Sequence, residues 1–264
     1  PAVLINATDL TLGRGFGFYQ EQFDWLCSDI ANFPVSRAVT ASSAVPGLFS
    51  AVTLLNYGGQ CRDRSPGWLY SVAWELDDDL RPLGRKIQAY RDYRNRPYIH
   101  LMDGGLADNL GLRAVMEKVL IDGGAARTIN QAGFQGTEKI LVIVVNAAAA
   151  PSTLINQNKN PPPVFFSIDA ATTVQINLYN DETLRRLREN VGRWKQEISR
   201  QRCGADVCDG GIEFYLVNLS LAQLKDVAER DFLQRIPTSF SLTTEQVDRL
   251  IAAAGSLLRE SAEF

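Results

Sequence analysis

The run Ile140–Val145, ILVIVV inside EKILVIVVNA, restricts this chain more than any other feature. It is six consecutive aliphatic residues, mostly β-branched, with no polar alternation. That is far short of the roughly 18 or more residues of a membrane span. It reads as a strand, and a strand without a polar face is typically covered on both sides, as in a parallel sheet between helix layers. Strand-like and helix-like segments alternate along the rest of the chain. The expected class is therefore α/β with a mostly parallel central sheet.

AVLINA (Ala2–Ala7) reads as a buried strand, and LGRGFGF after it as a turn or hairpin. Its glycine spacing is not a dinucleotide fingerprint, and aromatic residues follow in place of a helix. FDWLCSDIANF reads as helical, VSRAVTASSA as a short helix ended by Pro46, and SAVTLL as a strand. Residues 56–95 read as an insertion, with a loop NYGGQCRDRSPGW and a basic, exposed helix LGRKIQAYRDYRN. The strand YIHLM leads into LGLRAVMEKVLI, whose apolar positions Leu112, Val115, Met116, Val119 and Leu120 have helical spacing. NKNPPPV is a linker or kink. A long helix is expected from about Asp169 to Arg200, with the stripe Leu184, Leu187, Val191, Trp194 and Ile198 packed on a sheet or a neighbouring helix. IEFYLVNLSL is another strand. The last helix opens on Thr243 and Gln246 in capping-box positions and is expected to bury Val247, Leu250, Ile251, Ala254 and Leu258.

A formal net charge of -3 over 264 residues gives no electrostatic reason to expect nucleic acid. The chain begins at Pro1 with neither an initiator Met nor a signal-peptide pattern, so residue 1 is read as something other than the start of translation. The cysteines are Cys27, Cys61, Cys203 and Cys208. Their pairing is left open by the sequence, although CGADVC is a plausible short disulfide loop and buried thiols are equally natural. With no close Cys-x-x-Cys pair and a single histidine, His100, no metal site is expected.

MDGGLADNLGLR (Met102–Arg113) places an ionisable residue between a strand and a helix. Asp-Gly-Gly occurs three times. Asp122-Gly123-Gly124 reads as a helix stop and Asp209-Gly210-Gly211 as a turn, and only Asp103 sits at a strand-to-helix junction. Open α/β sheets place ligand sites at the carboxyl ends of their strands. Asn109 is the expected cap of the following helix. On these grounds Asp103 is either a functional carboxylate or a structural turn carboxylate.

MDGGLADNLGLR resembles the catalytic-aspartate motif of the patatin-like phospholipase family, and AVTASSAVPGLFSAV upstream is similar to the Ala-rich segment that precedes that motif. INATDLTLGRGFGF and the closing IPTSFSLTTEQVDRLIAAAGSLL also resemble family segments, the latter those of bacterial members. The resemblance spans most of the chain and is least evident in residues 56–95. It implies a three-layer α/β/α domain and a Ser-Asp dyad that hydrolyses lipid acyl esters through an acyl-enzyme, without cofactor or metal. Asp103 would be the base, with Gly104, Gly105 and Asn109 as motif support. His100, three residues before Asp103, points to the opposite strand face and is read as structural.

The family nucleophile lies in Gly-X-Ser-X-Gly, and no such motif occurs in residues 1–264. Ser42 and Ser43 lack the flanking glycines. The chain is thus expected to be a single domain, residues 1–264, lacking its N-terminal nucleophile portion. That portion would come from an upstream segment or a second chain. Peripheral contact with a membrane in a bacterial envelope, or secretion, is the expected setting, with a cytoplasmic one as the alternative. A rival reading is a non-catalytic module that binds lipid or a protein partner, and a third is an unrelated α/β protein.

Overall fold

The computed structural model describes residues 2–148, 157, 159–204, 211–236, 239, 241–262 and 264, with side chains omitted at 165, 168 and 169. The chain runs β1 (Asn6–Asp9), β2 (Arg14–Gly17), α1 (Gln20–Trp25), α2 (Val35–Ser42), β3 (Val52–Leu55), α3 (Leu80–Arg91), β4 (Tyr98–Met102), α4 (Gly105–Asp108) and α5 (Leu112–Asp122). It continues through α6 (Ala125–Gln131), β5 (Lys139–Asn146), α7 (Val164–Cys203), β6 (Glu213–Ser220), α8 (Val227–Gln234) and α9 (Thr244–Glu260).

The strands form two sheets among the described residues. One has four strands in the order β2-β1-β4-β3, and every pairing in it is antiparallel. The other is the parallel pair β5-β6, in register from Lys139↔Glu213 to Asn146↔Ser220. This corrects the expected mostly parallel central sheet and, with it, the three-layer α/β/α arrangement built on such a sheet. The reason is local. A four-residue connection joins β1 to β2, too short for the crossover that parallel neighbours require. Asp9 Oδ1 accepts the Thr11 and Leu12 N–H groups at 2.8 and 3.1 Å, and Gly13 takes the left-handed φ of +60° that closes the turn.

The four-stranded sheet carries a closed aromatic and aliphatic core. Phe16, Phe23, Trp25, Ile87, Tyr90, Ile99 and Leu101 are buried together. Helix α3, expected to be exposed, buries Leu83, Ile87 and Tyr90 and seals Lys86 against Glu117 at 2.7 Å. AVLINA is a strand only from Asn6 onward, and Ala2–Leu4 are exposed. A disulfide joins Cys27 to Cys61 with Cα atoms 5.6 Å apart, tying the loop before α3 to the end of α1. Cys203 is also disulfide-bonded, and Cys208 lies outside the described residues, as do Asp209 and Gly210.

Helices α5, α6 and α7 join the two sheets. Leu184 and Leu187 of α7 pack with Leu112, Met116 and Val144, while Ile198 packs with Val119, Ala125 and Ile212. The expected α7 stripe therefore faces inward. Strand β5, expected to be covered on both faces, is covered on one. Val144 is buried, but Leu141, Ile143 and Val145 on the other face are 47%, 43% and 65% exposed. Helix α9 has the Thr243/Gln246 capping box but turns Leu250, Ala253 and Leu257 inward, leaving Val247 and Ile251 exposed.

Candidate functional site

Asp103 follows β4, an inner strand of the four-stranded sheet. Its backbone is fixed from two sides. The Asp103 N–H donates to Ala44 O and the Gly104 N–H to Ser42 O, both at 3.0 Å, while Thr8 Oγ1 donates to Asp103 O at 2.7 Å. The Ala-rich segment singled out in the sequence is therefore the clamp that holds the aspartate loop.

Gly104 is required by space rather than by dihedral. Its φ is an ordinary -63°, but a Cβ there would lie 2.4 Å from Asn6 Oδ1 and 2.7 Å from Asn6 O. Gly105 has Asp103 Oδ1 and Asn109 Oδ1 each 3.0 Å from the position a Cβ would take. Asp103, Gly104, Gly105 and Asn109 thus converge at the first turn after β4. Asn109 does not cap the next helix, contrary to expectation. Helix α5 starts after Gly111 in the left-handed region (φ +68°), and Asp108 Oδ2 accepts the Ala114 N–H at 2.9 Å. Asn109 Nδ2 instead donates to Asn180 Oδ1 on α7 at 3.3 Å.

The Asp103 carboxylate is half-buried. Oδ1 accepts the Gly105 N–H at 2.7 Å, and Oδ2 has no protein partner among the described residues. Burial raises its pKa above the ordinary carboxylate value, and the Gly105 hydrogen bond offsets only part of this. His100 is exposed, with Nδ1 3.0 Å from Thr53 Oγ1, and is not bonded to Asp103. Ser43 Oγ donates to Val39 O within its own helix end. Among the described residues no group of three His, Cys, Asp or Glu side chains could hold a metal ion, and no helix is long and apolar enough to cross a membrane.

A cavity lies elsewhere, behind the aspartate loop. It has a volume of about 340 Å³ between the β1–β2 hairpin, α3, α5 and α7, and Asp103 does not line it. Asn6, Tyr19, Asp108, Arg113 and Trp194 do. Asn6 links the two places: its Oδ1 faces Gly104 and its Nδ2 donates to Asp108 O at 3.0 Å. Sequence reading missed this cavity, although Asp108 and Arg113 stand five residues apart inside the motif it quoted.

Comparison with family models, with curated proteins and with solved structures gives no match to this chain.

Proposed function

We propose that this chain is the aspartate-bearing portion of a patatin-like serine acyl hydrolase acting on phospholipid or other lipid acyl esters, with the nucleophilic serine supplied by a segment outside residues 1–264. One observation carries the reading. The Asp103 carboxylate has one oxygen fixed by the Gly105 N–H, the other without a partner among the described residues, and a proton affinity raised by burial. Those are the properties of a positioned general base.

In this reading Asp103 takes the hydroxyl proton as the serine oxygen attacks the ester carbonyl carbon. It returns that proton to the departing alcohol as the acyl-enzyme forms. Water, deprotonated by the same carboxylate, then attacks the acyl carbon and releases the fatty acid and the serine. His100 faces Thr53 and has no part in this relay. The open edge and exposed face of β5 also support an additional segment, because an unpaired strand with an apolar flank accepts another strand.

The test has two arms. Chain 1–264 alone should neither turn over p-nitrophenyl esters nor react with a fluorophosphonate. Supplied with the upstream coding segment, it should do both, and Asp103→Asn should then lower turnover by roughly a hundred- to ten-thousand-fold with an unchanged Tm. Near-normal turnover of that variant would make Asp103 a structural turn residue. The exposed flank of β5 also favours a second reading, a partner-binding module without catalysis. A stable complex that never hydrolyses esters would select it.

A further inference from the structure

The cavity behind the aspartate loop has an uneven distribution of charge. Three of the six charged residues around it are paired within the protein. Glu117 holds Lys86 at 2.7 Å, Asp79 holds Arg193 at 2.9 Å, and Arg186 holds Glu182 at 2.9 Å. Asp108 and Arg113 are different. Asp108 is 4% exposed, and its Oδ1 has no hydrogen-bond partner. Arg113 donates from Nε to Thr183 Oγ1 at 2.8 Å and lies 5.0 Å over the Tyr179 ring, but its Nη2 is buried without a partner. Arg14, exposed on the hairpin that forms another wall, has no ion pair among the described residues.

Unpaired buried polar atoms are uncommon and costly, and here two belong to residues of opposite charge that line one cavity. We propose that this cavity is a binding site for a small zwitterion of headgroup size, whose anionic oxygen group meets Arg113 and Arg14 and whose ammonium group meets Asp108. Its volume is at the lower end for small-molecule sites, which are roughly 300–1,000 Å³. Burial disfavours the charged form of both wall residues, raising the pKa of Asp108 and lowering that of Arg113, and their attraction for each other offsets only part of this. A ligand bringing the two complementary charges removes both penalties together. Nη2 and Oδ1 are closed off from solvent, so seating the ligand requires both side chains to turn toward the cavity, Arg113 about its Thr183 contact. Asp103 does not line this cavity, so the site stands independently of any hydrolysis.

Calorimetric titration of purified chain 1–264 with O-phosphoethanolamine tests the proposal. Saturable binding is expected, with inorganic phosphate and ethanolamine alone each weaker by about tenfold or more. Asp108→Asn keeps an acceptor for the Ala114 N–H, so the helix start is preserved while the charge is lost. That variant and Arg113→Gln should each weaken binding by about tenfold, and Arg14→Gln by about threefold. Competition by lysophosphatidylethanolamine micelles would assign the zwitterion to a lipid headgroup, and its absence to a free metabolite. No saturable binding at about 10 mM, equal binding of phosphate alone, or insensitivity to Asp108→Asn would overturn the proposal.

Discussion

The two sheets differ in how completely they are covered. In the four-stranded sheet Ile99 and Leu101 are 0% exposed, and aromatic rings from β2, α1 and α3 close over them. In the two-stranded sheet only the inner face of β5 is covered, and its outer edge has no strand beside it among the described residues. The aspartate loop grows from the closed sheet, and its backbone is tied to Ala44, Ser42 and Thr8. The open sheet is where the proposed further segment would add. A site that is pre-organised on one side and unfinished on the other is what a shared active centre would need.

The contrast can be broken most directly by truncating matched residues. Ile99→Ala should cost about 2–5 kcal/mol in chemical denaturation, as expected for a sealed core. Ile143→Ala on the open face of β5 should cost no more than about 0.5 kcal/mol. Equal costs would mean that β5 is covered in solution. The next effect concerns the disulfide. Closing a loop between residues 34 apart contributes about 3–4 kcal/mol in the chain-entropy view, so Cys61→Ser should lower Tm by several degrees. The loss should fall on the closed sheet and leave the β5 region unchanged, a difference that residue-resolved hydrogen exchange reads.

Gly104→Ala drives a methyl into Asn6 and should cost about 1–3 kcal/mol in chemical denaturation; under the proposed function, the chain supplied with its upstream segment should lose more ester hydrolysis than that change explains. An unchanged Tm would show that the clamp yields. The open flank predicts association. Isolated chain 1–264 should scatter light above its monomer mass, and Ile143→Lys with Val145→Lys should return it to a monomer. A monodisperse wild-type monomer would remove the case for an unfinished sheet.

The smallest effect is pH-dependent. Asp108 has its folded pKa raised by burial, so the stability it contributes is full below the ordinary carboxylate pKa and is lost as pH rises through the raised value. Asp108→Asn should melt a few degrees above wild type at neutral pH and lose that advantage toward pH 3. A constant difference across the range would place the cause outside this carboxyl.

What could be read in advance follows from what a side-chain pattern reports. The stripe from Leu184 to Ile198, the capping box at Thr243 and the turn at Gly13 were legible because each is set by residues close in sequence. The direction of strand pairing was not, because an apolar run announces burial without saying which strand lies beside it. ILVIVV was read as doubly covered on that ground, and half of it faces outward. On α9 the inward face was misplaced, because Ile251 and Ala253 both suit an apolar stripe and only tertiary contact chooses. Cys27 with Cys61 could not be chosen, since their approach depends on how the loop before α3 folds back to α1. At the candidate site, the convergence of Asp103, Gly104 and Gly105 was legible in the motif. The orphaned atoms of Asp108 and Arg113 were not, because a missing partner leaves no trace in a sequence.

Helix α7 has a mechanical consequence. Forty residues at about 1.5 Å per residue make a rod of roughly 60 Å, more than twice the span of the eight-residue strands it crosses. No described residue of the helix before Asn180 is buried. Its first four turns hold no fully buried described side chain, and they are helical as the continuation of a packed rod. A free peptide of that length is marginally helical in water. From Tyr179 onward the rod is tied to the motif turn: the Tyr179 ring lies under Arg113, Asn180 accepts from Asn109 and Thr183 accepts from Arg113. A displacement along the helix axis thus carries the Asn109–Arg113 turn with it.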